Sequence, residues 1–256
     1  MTIVTWNVNS IRVRLEHLLT WLGDFLPDVM CLQETKVADD QFPLEPIQAL
    51  GYQAAIYGEK TYNGVAILSR HPLEHVALGF GDDGPETQRR LIAATVRGVR
   101  IVNAYVPNGA APDSPKFAEK LMFLEKLEKL IRAQARTDRP LALVGDFNAA
   151  MDARDVYSEE EMEGQVCYHP DERKALAKLL KWGLVDQFRA LEPGAGFFSW
   201  WDYRQGAYQR NMGLRIDHIW VTPPLAERVI SCWIDREERA RDKASDHVPV
   251  VATYWN

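Results

Sequence analysis

Short apolar runs recur along this chain, and several of them end on polar side chains. Thr2–Trp6, Val29–Leu32, Gly64–Ser69, Leu91–Val96, Val99–Tyr105, Leu141–Gly145, Ile216–Val221 and Val248–Tyr254 are short, rich in β-branched residues and mostly apolar, which predicts strands. Arg12–Phe25, Lys116–Ala135 and Glu172–Trp182 carry the spacing of amphipathic helices instead. In the second, Phe117, Leu121, Leu124, Leu127 and Ile131 repeat at three and four residues, and Ser114-Pro115 suits its start. Gly79–Pro85, Asn108–Pro115 and Pro193–Gly196 read as loops. Helices are few beside the strands and do not alternate with them, which excludes a simple doubly wound sheet. The pattern predicts two sheets packed face to face with helices outside. With no linker, low-complexity tract or repeat, it predicts one domain over residues 1–256.

The polar ends of the runs carry the chemistry. Leu141-Ala142-Leu143-Val144 leads into Gly145-Asp146-Phe147-Asn148, and side chains two apart on an extended segment project the same way. Asp146 and Asn148 should therefore emerge together at a strand end. Thr5-Trp6-Asn7-Val8-Asn9, Leu32-Gln33-Glu34-Thr35-Lys36 and Ser245-Asp246-His247 also set acid, amide or imidazole groups beside apolar runs. The site is expected where the two sheets meet.

Magnesium takes oxygen ligands, often from one or two carboxylates plus substrate phosphate. Glu34 is the first candidate and Asp246 the second, with amide oxygens from Asn7 and Asn9. Phosphodiester hydrolysis also needs a positioned water, donors for the phosphate and help for the leaving oxygen. Asp146 can orient or deprotonate water, with Asn148 fixing its position. His247, oriented by Asp217, can hydrogen-bond the phosphate. Tyr105 and Asn108 can donate to its oxygens. The expected chemistry is that of a magnesium-dependent phosphodiesterase.

Composition narrows this only slightly. The chain has 256 residues, 46% of them hydrophobic, and a net charge of −6. That charge argues against a nonspecific nucleic-acid coat protein. It leaves a DNA enzyme open, because local distribution governs binding. The acidic run Ser158-Glu159-Glu160-Glu161-Met162-Glu163 reads as a solvated loop or helix start. The three cysteines, Cys31, Cys167 and Cys232, show neither zinc spacing nor a disulfide framework. No secretory signal and no apolar stretch of ~20 residues is present, so a cytoplasmic location and no membrane contact are expected.

With these segments in view, the chain resembles the exonuclease III family of apurinic/apyrimidinic endonucleases, within the DNase I-like superfamily. The likeness runs from Trp6-Asn7-Val8-Asn9-Ser10 to Ser245-Asp246-His247-Val248-Pro249-Val250. Between them lie Leu32-Gln33-Glu34-Thr35-Lys36, Tyr62-Asn63-Gly64-Val65-Ala66, Asn103-Ala104-Tyr105-Val106-Pro107-Asn108-Gly109, Gly145-Asp146-Phe147-Asn148, Trp182-Gly183-Leu184-Val185-Asp186 and Gly213-Leu214-Arg215-Ile216-Asp217.

The resemblance implies a four-layer α/β sandwich, with two mixed β-sheets packed face to face and helices outside. It implies Mg²⁺-dependent incision of double-stranded DNA 5′ to abasic sites, with processing of damaged 3′ ends and Mn²⁺ as a substitute metal. Glu34 would be the principal ligand, with Asn7, Asp146, Asn148 and Asp246 completing the metal environment. Tyr105, Asp146, Asn148, Asp217 and His247 would be catalytic. Arg12, Lys36, Arg90, Asn108 and Arg204 would contact DNA. Trp200, Leu214 and Ile216 would line a pocket that takes an abasic sugar and excludes an ordinary base by size, with the small Cys167 leaving room. Asn9 stands where some members carry Asp. Chemistry confined to one domain needs only a monomer. The competing readings are a 3′-end-processing exonuclease with little abasic incision, a phosphatase of the same superfold acting on lipid or inositol phosphates, and a noncatalytic DNA-binding module.

Overall fold

Along the central strands, successive side chains divide between two apolar environments, and that division generates the layers. The computed structural model describes residues 1–81, 84 and 87–255. Its strands are β1 Thr2–Asn7, β2 Val29–Gln33, β3 Gln53–Tyr57, β4 Val65–Ser69, β5 Glu74–Leu78, β6 Leu91–Val96 and β7 Val99–Tyr105. They continue with β8 Leu141–Asp146, β9 Val185–Asp186, β10 Trp200–Trp201, β11 Gly213–Leu214, β12 Asp217–Val221, β13 Val229–Ile234 and β14 Val250–Tyr254. The helices are α1 Leu15–Phe25, α2 Leu44–Ala49, α3 Pro115–Gln134, α4 Glu159–Met162, α5 Pro170–Trp182, α6 Gln187–Leu191 and α7 Pro223–Ala226.

One six-stranded sheet runs β13-β14-β1-β2-β4-β3 and the other β5-β6-β7-β8-β12-β9, with β10 and β11 paired separately. The β1·β2 and β7·β8 pairs are parallel and the remaining pairs antiparallel, so both sheets are mixed.

Ile3, Val29, Cys31, Val65 and Ile67 of the first sheet meet Ile92, Ala94, Ile101, Ala142, Val144 and Ile219 of the second. The alternate residues Val4, Trp6, Met30, Leu32, Ala66 and Leu68 turn outward onto Leu18, Trp21 and Leu22 of α1. On the second sheet, Val102, Ala104, Leu141 and Leu143 turn outward onto Leu124, Leu127 and Ile131 of α3 and Leu176 and Leu179 of α5. Each fully buried leucine of this kind contributes roughly 1.5–3 kcal/mol. The result is the four-layer α/β sandwich that the resemblance implied. One polar bolt crosses the apolar middle. Asn103 donates to the carbonyls of Leu32 and Ala66, both at 2.9 Å, and accepts from Gln33 Nε2 at 2.7 Å.

The eight predicted strands all appear with small shifts of end. Asn7, Gln33 and Asp146 join their strands, while Gly64, Ile216 and Val248 lie just outside. The three predicted helices also form, α1 starting at Leu15 rather than Arg12. Ser114 caps α3 by accepting from the Phe117 N–H, with Pro115 in the first turn. The acidic run becomes the short α4, capped by Ser158 and largely exposed. Strands β3, β5, β9, β10, β11 and β13 were not anticipated. β5 is exposed along its whole length, so no apolar alternation marks it, and β3 opens on Gln53-Ala54-Ala55, weak strand formers. Of the predicted loop Gly79–Pro85, residues 82, 83 and 85 lie outside the described residues.

Candidate active site

Register brings the polar strand ends to one edge. Tyr105 of β7 sits opposite Asp146 of β8, which sits opposite Asp217 of β12. In the other sheet Asn7 of β1 lies opposite Gln33 of β2, with Glu34 the next residue, and Ser245-Asp246-His247 leads towards β14. Gly145 makes the close approach possible. Its φ is 141°, and a Cβ there would sit 1.9 Å from the Ala104 carbonyl oxygen. Glu34 and Asn148, with φ of 51° and 48°, occupy the left-handed region that non-glycine residues seldom adopt. Such strain persists only where surrounding contacts over-determine it.

Asp146 is the hub. Its Oδ1 accepts from the Asn148 N–H at 2.8 Å. Its Oδ2 accepts from Asn7 Nδ2 at 2.9 Å and Asn148 Nδ2 at 3.2 Å, with His247 Nε2 at 3.7 Å. Asn7 Nδ2 also donates to Glu34 Oε1 at 2.9 Å, and Lys36 Nζ lies 2.8 Å from Glu34 Oε2. His247 Nδ1 faces Asp217 Oδ2 at 2.8 Å. Ser199 Oγ donates to the same oxygen at 2.7 Å while accepting the N–H groups of Ile216 and Asp217, each at 3.1 Å. Ser245 Oγ donates to the Asn7 carbonyl at 2.7 Å and accepts the His247 N–H at 3.2 Å, tying the segment ahead of β14 to the end of β1 beneath the site.

These contacts set the protonation states. Burial pushes the Asp146 carboxyl up to about 7, although His247 and the Asn7 hydrogen bond pull the other way. Burial opposes charge on His247, but Asp217 and Asp146 outweigh it and raise the imidazole to about 10. At neutral pH the ring is therefore an imidazolium. Burial would also raise Glu34, yet its hydrogen bonds from Asn7 and Lys36 hold it below the usual carboxylate range. Burial, with Glu34 and Asp146 nearby, pushes the Tyr105 phenol well above its ordinary value and keeps it a donor.

Glu34, Asp146 and His247 each offer an atom within 4.8 Å of the others, the one such acid–imidazole group found among the described residues. Asp246 stands beside that group, its carboxylate accepting from Asn9 Nδ2 at 2.9 Å and Trp200 Nε1 at 3.0 Å. Asn7 is arranged as a donor between two carboxylates, its oxygen taken by the Asn9 N–H at 3.0 Å. Asn9 receives Lys36 Nζ on its own oxygen at 2.6 Å. Asn108 donates to Asn148 Oδ1 at 3.0 Å.

Of the expected DNA contacts, Arg90 lies 4.4 Å over the Tyr105 ring, and Lys36 is tied to Glu34. Arg204 is exposed but paired with Asp202 at 2.6 Å, and Arg12 is exposed ahead of α1. Arg14 is the better anchored arginine, donating to the Asn9 and Ala244 carbonyls and to the Tyr203 hydroxyl.

Beside the site opens a cleft of about 540 Å³ lined by Asn108, Cys167, Trp200, Arg204 and Leu214, among others. Ile216 does not reach its surface. It is 2% exposed and packs behind the wall with Leu214, Val156 and Tyr168, so it supports the pocket rather than lining it. A cleft in the ~300–1,000 Å³ range holds whole small molecules, so its volume alone does not exclude a base. Burial raises the Cys167 thiol to about 12, which leaves it unreactive.

Sequence reasoning passed over Ser199, Tyr203, Arg14, Lys120 and Glu172. Ser245 stood in the quoted Ser-Asp-His run but received no role. A serine within an aromatic run and charged residues on helices carry no signal that separates them from surface positions.

Two packed mixed sheets with carboxylates, amides and an imidazolium converging at their shared edge define a DNase I-like hydrolase. The endonuclease/exonuclease/phosphatase family model matches residues 4–247. The chain is 34% identical to exodeoxyribonuclease III of Haemophilus influenzae, over 99% of this chain and all of that one. Among solved structures, an AP endonuclease from Archaeoglobus fulgidus is similar with a TM-score of 0.95 and 39% identity, covering 99% of each chain. A 3′-5′ exonuclease, NExo, from Neisseria meningitidis reaches a TM-score of 0.96 and 42% identity over the whole of both chains, and NExo from Neisseria has also been solved as a 3′ phosphatase bound to a product DNA hairpin. The chain belongs to the endonuclease/exonuclease/phosphatase family and is a nuclease-type hydrolase of its exodeoxyribonuclease III branch. Among the described residues no helix is long and apolar enough to cross a membrane.

Proposed function

We propose that this protein is a Mg²⁺-dependent DNA-repair phosphodiesterase that incises duplex DNA 5′ to abasic sites and processes damaged 3′ ends. The observation that carries this reading is the line Asp146–His247–Asp217 set beside an ionised Glu34 at the joint edge of the sheets. The donor set suits a hard cation, since Glu34 and Asp146 offer carboxylate oxygens in a buried site. Glu34 and Asp146 would hold Mg²⁺, with Asn7, Asn148 and Asp246 around them and Mn²⁺ as a substitute. Bound there, the ion would supply positive charge to the phosphate oxygens.

The chain's own groups do the rest. Asp146, ionised above about pH 7, accepts a proton from the attacking water, and Asn148 fixes its carboxylate. The water oxygen bonds to phosphorus as the bond to the 3′ oxygen breaks, and that oxygen leaves with the bonding pair and takes a proton from solvent. His247 donates from Nε2 to a phosphate oxygen, its charge maintained by Asp217. Tyr105 and Asn108 are further donors. Arg12, Lys36, Arg90 and Arg204 contact the DNA backbone without reading sequence. Trp200 and Leu214 receive the unstacked sugar. All of these groups come from one chain, so a monomer suffices.

The Archaeoglobus AP endonuclease and the Haemophilus exodeoxyribonuclease III support abasic incision with 3′ processing. A second reading, 3′-end processing with little incision, draws on the likeness to the Neisseria 3′ phosphatase and 3′-5′ exonuclease. A 3′-phosphorylated duplex and an internally abasic duplex, offered separately in Mg²⁺, distinguish the two. Phosphate release without incision would select the second.

A further inference from the structure

Lys120 on α3 and Glu172 on α5 form an ion pair in which both side chains are fully buried, and neither has been given a part in the reaction. Burying charge is costly even when it is paired, and apolar residues of similar volume often replace such a pair without loss. Helix docking does not require it, because Leu124 and Leu127 already pack with Leu176 and Leu179 there. What the pair touches is more informative.

Lys120 Nζ has three hydrogens and three acceptors. They are Glu172, the Asn108 carbonyl at 3.0 Å and the Asn148 carbonyl at 2.6 Å. Glu172 in turn accepts the Cys167 N–H at 3.3 Å and the His169 N–H at 3.0 Å. One buried pair therefore ties down the two asparagines, which bond each other at 3.0 Å, and the cleft wall at Cys167. Two of these points, Asn148 with φ 48° and Cys167 with φ 73°, hold left-handed backbone that needs outside support.

We infer that Lys120 and Glu172 are positioning residues, a strut that fixes Asn148 and Asn108 against Asp146 and sets the wall of the cleft. The strut acts through the asparagines and rests on the role proposed for them above.

The test uses the full chain carrying Lys120→Met, Glu172→Gln or both, with wild type and Asp146→Asn alongside. Three quantities are read: melting temperature, kcat and KM on abasic duplex, and the side-chain amide resonances of Asn108 and Asn148. Lys120→Met should lower both melting temperature and kcat, since it strands a buried carboxylate. The double variant should regain melting temperature because no unpaired charge remains. Its kcat should stay about 10²-fold low with KM within threefold, the scale of loss from a small misplacement. Both asparagine amide pairs should shift.

Recovery of kcat together with melting temperature would reduce the pair to a fold element and overturn the inference. Should the double variant not fold, Glu172→Gln decides, with a kcat within twofold of wild type counting against the strut. If wild type shows no turnover, the proposed function fails instead. The amide resonances still decide the strut in that case, because unmoved signals in the folded variants would refute it.

Discussion

Replacing Asp217 with asparagine tests the role of the imidazolium most cleanly, because shape is kept and charge is lost. Asp217 is fully buried and its Oδ2 serves two partners, His247 Nδ1 at 2.8 Å and Ser199 Oγ at 2.7 Å. His247 stands at about 10 against an ordinary 6.5, and Asp217 is the largest of the groups raising it. That displacement corresponds to about 5 kcal/mol. If half of it is due to Asp217, the variant loses about 2–3 kcal/mol of support for the protonated ring, which leaves it charged at neutral pH and lowers kcat by roughly 30-fold near pH 10. The asparagine can also present an N–H to Nδ1, which favours the neutral ring with its proton on Nε2 and so lowers the charged fraction further.

The sign of the pH effect follows. The active form is protonated, so the alkaline limb of the kcat profile, set by His247, should move to lower pH in Asp217→Asn. DNA affinity in Mg²⁺ should change by less than about threefold, because uniform binding is untouched. The assay is single-turnover cleavage of an end-labelled abasic duplex across pH 6 to 10, within the range where His247 changes charge. A kcat within threefold of wild type with an unshifted alkaline limb would remove His247 as a protonated phosphate donor.

Further outcomes are expected in the site, in a buried ion cluster and in DNA binding. Asp146→Ala should lose turnover by several orders of magnitude while DNA binding survives, and Glu34→Ala should raise the Mg²⁺ concentration needed for half-maximal rate; near-normal rate in the first or an unchanged Mg²⁺ titration in the second would reassign those residues. Arg215 lies buried between Asp155 and Asp186, at 2.7 Å from each, and against burial it holds both carboxyls below their ordinary values. Arg215→Met should therefore cost about 3–5 kcal/mol by chemical denaturation. Because those folded-state values are depressed, their stabilisation is complete above the unfolded value near ~3.9 and falls away as pH drops below it. Asp186→Asn should flatten the acid side of the wild-type melting curve, and an unchanged slope would show the cluster to be neutral in this respect. DNA binding should weaken steeply with salt, log K falling about 0.9 for each phosphate contact in log salt, and a flat response would refute the proposed backbone footprint.

How much was legible in the sequence follows from what each residue had to do. Strands buried on both faces, such as Leu141–Asp146 and Val65–Ser69, announce themselves because burial demands unbroken apolar runs. Their polar ends were equally plain, since Asp146, Glu34 and His247 interrupt otherwise apolar chain. The edge strand Glu74–Leu78 could not be seen, because solvent on both sides imposes no pattern.

At the site, the donor orientation of Asn7 was invisible, because it is fixed by Asp146 and Glu34, which are 139 and 27 residues away in the chain. Ile216 looked like a pocket residue beside Leu214, yet it packs with Val156 and Tyr168 behind the cleft wall, where Leu214 alone of the two reaches the surface. Lys120 and Glu172 looked like solvated helix residues. Only the packing of α3 against α5 beneath Asn148 makes them interior.

The central claim is metal-dependent cleavage of damaged DNA by the Asp146–His247–Asp217 site. The most direct measurement incubates wild type and Asp146→Asn with a labelled duplex bearing one abasic-site analogue, beside an undamaged duplex with a recessed 3′ end, in Mg²⁺ and in EDTA. The account predicts incision 5′ to the lesion by wild type in Mg²⁺ only, with slower trimming of the recessed end and neither product from the variant. Equal cleavage in EDTA, full activity in the variant, or no phosphodiester broken in either duplex with Mg²⁺ would contradict it.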